Sequence, residues 1–362
     1  PDKTKCDTVV ISTYLFSQQE LLPEIYELLK YYKNIIIDGS AELLSEGNLI
    51  HFDNMDDLSN ITIYCNGYDN LSLNESIKKY KEKGLNVEIL PFFVKYNHYF
   101  KSISTKKIEE KRKFLFLGGK PKTHRVAILG LLSYYNLIDN GYVSYFGDTN
   151  NDNNFWHEKE RDYFETNSPI EQKKKVDIGL DNLKRPLVLD TTNFDHGISH
   201  TRSYNGDYYQ VVDFVIVCET DIKEGIFFIT EKTTKCVQQN KKFILMGSCG
   251  MLKVIKEQYK IHLNQDISHL TDWCDISYDD IEDEWERVEK IVDIVKEECK
   301  INVYRVNQPD PPYLFMNHNH SWVFEKENDI MKAASGINQY RVHRGYHYPR
   351  SLDTIKSCKN NE

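Results

Sequence analysis

Short apolar runs alternating with helical segments constrain this chain more than any other feature. In the first hundred residues TVVIST, NIIID, NLIHF, ITIYC and NVEILPFF read as strands. Between them, QQELLPEIYELLKYY carries an apolar stripe at helical spacing, and SLNESIKKYKEKG is a helix closed by glycine. Strands that are apolar throughout are buried on both faces, so the pattern predicts a parallel sheet covered by helices. A second alternation starts at Phe114. FLFLGG, YVSYFG, PLVLD, YQVVDFVIVCE and KKFILMG read as strands, and HRVAILGLLSYYNL and GMLKVIKEQY as helices. TNNDNNFWHEKERDYFETNS reads as a long polar loop. DDIEDEWERVEKIVDIVKEECK reads as a helix with acids first and lysines last, the order its dipole favours.

At 362 residues the chain is too long for one ordinary core. We therefore expect an α/β protein of two Rossmann-like domains, over 1–100 and 114–300, with a lysine-rich linker over 101–113. A C-terminal extension follows over 301–362 and, by analogy with other two-lobed proteins, packs back on the first domain. Two such domains facing each other enclose a cleft at the carboxyl ends of their strands.

The net charge of −9 means that an anionic ligand must find a local basic cluster, and no basic stripe suggests nucleic acid. FLFLGGKPKTHRVAILGLL supplies such a cluster at a strand-to-helix turn. Gly118 and Gly119 let the backbone approach a ligand, and Lys120, Lys122, His124 and Arg125 surround the helix start. Neither the P-loop nor the dinucleotide fingerprint is present, and a solvated basic turn is the alternative. None of the eight cysteines forms a C-x-x-C pair. Cys65 and Cys218 end apolar runs, so free thiols and a reducing, cytoplasmic setting are expected. There is no apolar run of about 18 residues to span a membrane, and no visible signal peptide. The sequence starts at Pro1 rather than Met, as an excised domain does.

Arg125 follows Gly118 by seven residues, Leu132 follows by seven more, and YFG closes the next strand. Further on, VCETDIKEGIFFITEK supplies Glu219, a loop, Phe228 and then Thr230-Glu231-Lys232. In order and spacing these segments resemble the two motifs of alpha-1,3-fucosyltransferases, and KKFILMGSCGMLKVI is similar to the segment after the second motif. TEKT and SYDDIED also resemble a looser set of viral and phage glycosyltransferases. The resemblance runs from Phe114 to Lys300. It implies the GT-B type, with two Rossmann-like domains facing a cleft. The implied activity is inverting, metal-independent transfer of a sugar from a nucleotide diphosphate sugar, GDP-fucose favoured, to a glycan or glycoprotein hydroxyl. It implies no cofactor, and the cytoplasm, of the host if the protein is viral. Gly118 stands where the family has asparagine, and Thr220 replaces another asparagine. A UDP-sugar such as UDP-xylose or a UDP-hexose is therefore the alternative donor, and a non-catalytic glycan-binding module the further alternative.

The resemblance also implies roles. Arg125 and Lys232, helped by Lys122 and beside Gly118 and Lys120, would meet the charge on the leaving diphosphate. Glu231 would accept from sugar or ribose hydroxyls, Phe228 would pack on the nucleobase, and Glu219 would orient the sugar. Alternatively Glu231-Lys232 is a solvated first turn capped by Thr230. Neighbours on a helix do not face each other, so the two charges are expected to serve different partners. The acceptor hydroxyl needs a base. Asp38 and Glu42 in IIIDGSAE, with Asp38 closing its strand, and Asp53 in IHFDN are the candidates, although Asp before Gly is also an ordinary turn. Asp190, with His196 and His200 nearby, is a further one. His318, His320, His343 and His347 have ligand-like spacing but no accompanying carboxylate or cysteine pattern, so no metal site is expected.

Overall fold

The structure is a computed structural model that describes residues 6–12, 32–44, 49–68, 71–95, 101–102, 108–119, 121–145, 155–183, 189, 203–222 and 226–300. These fall into two compact units. The first takes the described residues up to 65 together with 72–89, and the second takes those of 66–71 and 90–300. The expected helix over QQELLPEIYELLKYY and the C-terminal extension lie outside the described residues.

The first unit is built on β1 (Cys6–Ser12), β2 (Tyr32–Leu44), β3 (Ile61–Tyr68) and β4 (Asn86–Ile89), side by side in that order. The β1–β2 and β3–β4 pairs are parallel. Ile35, Ile37, Ile61, Ile63 and Cys65 form its core. Helix α1 (Leu71–Glu82) ends in a turn where Gly84 adopts φ +96° against the Ser59 backbone, so the glycine stop read from sequence is a conformational need.

Two strand expectations fail here for local reasons. NLIHF contains a 3₁₀ turn, Ile50–Phe52. Leu49 and Phe52, three apart, are buried together while Ile50 is 61% exposed, which a single turn allows and an extended strand does not. NVEILPFF stops as a strand at Ile89, because Pro91 leads into the helical turn α2 (Phe92–Lys95). Strand β2 also runs on through IIIDGSAE to Leu44. Asp38 therefore lies mid-strand, in register with Ser12, and does not close the strand as expected.

In the second unit, a short parallel pair joins β5 (Lys101–Ser102) to β8 (Ser203–Tyr204). The main sheet comprises β6 (Arg112–Leu117), β7 (Gly141–Ser144), β9 (Val212–Cys218) and β10 (Lys242–Met246). It is wholly parallel, in the order β10-β9-β6-β7. Phe114, Leu115, Phe116 and nearly all of β9 are buried, as strands covered on both faces must be.

Helix α3 (Thr123–Tyr134) is buried around its whole circumference from Thr123 to Ser133, so its apolar composition shows no one-sided stripe. It packs on α5 (Ile170–Asp181) and α10 (Glu284–Lys300). A side chain at Gly179 would collide with the carbonyl of Gly130, so these two glycines set the close approach of α3 and α5. Where a polar loop was expected, α4 (Glu158–Asn167) forms. Phe164 is its one buried residue, stacked on Trp156 at 4.9 Å, too little to write a helical period into the sequence. The remaining helices are α6 (Asp207–Gln210), α7 (Glu231–Gln238), α8 (Met251–Leu263) and α9 (Ser268–Thr271). Asp283 caps α10 by accepting from the backbone N–H of Trp285 and Glu286, and SYDD before it is a separate 3₁₀ turn. Among the described residues no helix is long and apolar enough to cross a membrane.

Candidate functional site

The chain builds outward from β6 to β7 on one side and to β9 and β10 on the other. Strand order therefore reverses between β6 and β9, and open parallel sheets bind ligands at the carboxyl ends of such a pair. Gly118 follows β6 there, and Glu219 follows β9.

Arg125, in the first turn of α3, spans the two ends. Its guanidinium donates to the carbonyl oxygens of Gly118 (3.4 Å), Cys218 (3.3 Å) and Glu219 (3.0 Å), and it is buried. Beside it, His124 Nε2 lies 2.9 Å from the Glu219 carbonyl. Burial, and then the Arg125 charge, hold this imidazole well below its usual pKa, so it is neutral with its proton on Nε2.

The Glu219 carboxylate faces the start of α7. It accepts from the Thr230 N–H (3.2 Å), the Thr230 hydroxyl and the Thr233 hydroxyl (2.5 Å). Thr230 is the N-cap of α7, with extended backbone, and its oxygen accepts from the Lys232 N–H. Lys232 Nζ donates to Thr230 Oγ1 (3.1 Å) and Thr220 Oγ1 (3.3 Å) and lies 3.7 Å from Glu231 Oε1. The expectation that Glu231 and Lys232 do not pair is thus corrected: at the helix start the flexible lysine stem folds back far enough to reach its neighbour. Burial raises the Glu231 carboxyl, but Lys232, Lys235 and Arg125 outweigh it and hold the group below its ordinary value.

The first basic cluster is arranged differently from expectation. Lys120 lies outside the described residues. Gly118 is buried, and a side chain there would strike the Tyr145 ring, so packing rather than ligand access demands this glycine. Gly119 turns the chain at φ +51°. At the N-terminus of α3, Glu160 of α4 accepts from the Thr123 N–H (2.7 Å) and hydroxyl and pairs with Lys122 (3.3 Å). The anion on this helix end is the chain's own carboxylate. Burial raises the Glu160 carboxyl, but the Thr123 bonds and Lys122 leave it below the usual range.

Phe228 is half-buried two residues before Thr230. Asn66, grouped with the second unit, donates to the Ile229 carbonyl (2.9 Å), a contact without a sequence signal.

The base candidates sit in the first unit. Asp38 is half-buried in β2, and Glu42 lies in the same strand with its side chain outside the description. Asp53 is exposed and accepts from Lys79 Nζ (2.7 Å) and the Tyr80 hydroxyl (2.6 Å), which hold its pKa below the usual value. Those contacts suit a surface tie to α1 better than a base. Asp190, His196, His200 and the four C-terminal histidines lie outside the described residues. Among the described residues no three His, Cys, Asp or Glu are grouped to hold a metal ion. Cys65, Cys218, Cys236 and Cys299 are free and buried, and burial pushes the Cys218 thiol up to about 12.

No protein-family model, curated protein or solved structure matches this chain.

Proposed function

We propose that the chain is a GT-B type glycosyltransferase whose second unit binds a nucleotide diphosphate sugar at the β6–β9 switch, GDP-fucose favoured. The observation that carries this reading is Lys232. It stands in the first turn of α7, a quarter exposed and tethered by hydroxyls and one carboxylate, beside the strand ends where such sheets take ligands. A cation so held can turn to a diphosphate and stabilise the charge that builds on it as the sugar leaves. Arg125 contributes its field from behind, because its guanidinium is tied to three carbonyls. Glu231 accepts from sugar or ribose hydroxyls, and Phe228 packs on the nucleobase.

A second reading has its own observation. The Glu219 carboxylate is occupied by Thr230 and Thr233, and Arg125 by backbone, which suits a module that binds a nucleotide sugar or glycan without transferring it.

Thermal shift with GDP, UDP, GDP-fucose and UDP-xylose tests the proposal. A ligand at a hundred times its Kd adds roughly 2.7 kcal/mol. We expect a shift in the wild type that Lys232→Ala loses while its ligand-free melting is unchanged. No shift with any of the four, or a full shift in Lys232→Ala, overturns the reading. Binding without release of nucleotide diphosphate in the presence of glycan acceptors selects the second reading.

A further inference from the structure

Lys235 lies at the centre of α7 and is only 8% exposed. Burying an ammonium group is costly unless an opposite charge compensates it. Lys235 follows Glu231 by four residues, the spacing that places two side chains on one helical face. Its Nζ lies 5.7 Å from the centre of the Tyr204 ring. That ring is fixed in turn, because its hydroxyl donates to Gln238 Oε1 (2.9 Å) and accepts from Gln239 Nε2. Burial lowers the Lys235 pKa, and the Glu231 charge is the largest influence opposing that.

Lys232 and Lys235 share α7 with Glu231 but differ in freedom. Lys232 is a quarter exposed and, in the nucleotide reading above, is the group that turns to the diphosphate. Lys235 is buried and cannot follow. We propose that Lys235 is a positioning residue that holds the Glu231 carboxylate in place when Lys232 turns to the diphosphate, so that Glu231 reads the hydroxyls of a bound ribose. The inference rests on the nucleotide reading of the site above.

The experiment measures affinity for GDP, UDP, their 2′-deoxy counterparts and inorganic pyrophosphate by calorimetry, in the wild type, Lys235→Met, Lys235→Gln and Lys235→Arg. A hydrogen bond to a charged group corresponds to about a tenfold or larger preference for the ribose form. We expect that preference in the wild type, its loss in Lys235→Met and Lys235→Gln with pyrophosphate affinity kept within about twofold, and its return in Lys235→Arg. If the wild type binds none of these ligands, the nucleotide reading falls, and this inference with it. If the wild type binds and Lys235→Met keeps the ribose preference, or loses all ligands equally, the role of Lys235 alone is overturned. Should neither Met nor Gln variant fold, Lys235 serves the fold and the inference is likewise overturned.

Discussion

The turns leading into α3 and α7 leave adjacent strands of one sheet, yet they close their helices in opposite ways. At α3 a carboxylate from another segment, Glu160, sits on the Thr123 N–H and draws Lys122 to itself. At α7 a neutral hydroxyl, Thr230, caps the helix, and the carboxylate of Glu219 stands behind it as the acceptor of hydroxyl and amide protons. The positive end of the α3 dipole is thereby neutralised from within, whereas α7 keeps a neutral cap and a partly exposed lysine. From the sequence, Arg125 and Lys232 at the two turns are both expected to meet the charge of a diphosphate. Their chemistry makes α3 the anchored half and α7 the half with room to respond.

Removing Glu219 tests that contrast most severely. Glu219→Ala strands three donors at the head of α7, and we expect a loss of about 3 kcal/mol in urea denaturation. A loss under about 1 kcal/mol would show that this carboxylate does not hold α7. Gly118→Ala attacks the other turn by driving a methyl group into Tyr145. Overpacking of this kind costs about 2 kcal/mol, read as a lower melting temperature, and should leave nucleotide affinity of the folded fraction unchanged. The smallest effect belongs to Glu160→Gln, about 1 kcal/mol at neutral pH, because glutamine keeps an acceptor on Thr123 but loses the charge. The folded-state pKa of Glu160 is depressed, so its contribution is complete above the ordinary glutamate value and disappears as pH falls through the lower, folded one. The stability gap between Glu160→Gln and the wild type should accordingly close in acid. A gap that persists there would mean that shape rather than charge closes α3.

What could be read in advance follows from where the physical constraint is local. Strands β6, β9 and β10 are apolar nearly throughout, so they announce themselves. The NLIHF run is equally apolar, but a three-residue stretch cannot tell a strand from a 3₁₀ turn. Helix α4 was hidden because one phenylalanine anchors it. In the candidate site, the order and spacing of Gly118, Arg125, Glu219, Thr230 and Lys232 pointed to residues that the fold does bring to neighbouring strand ends. The partners that define their states were not legible. Glu160 reaches Thr123 across 37 positions and Asn66 reaches Ile229 across 163, and no spacing rule connects such distances. Lys235 was visible as one lysine among many, since nothing in a single sequence marks a charge as buried.

The tie that Arg125 makes across β6 and β9 has a consequence for how such a site changes over generations. Position 125 serves the backbone of two strands, so a substitution there is expected to cost stability whatever the ligand. Position 232 carries no comparable duty to the strands and can drift. A lineage adopting a new ligand is expected to vary the head of α7 and to keep the arginine, because only the arginine joins two strands.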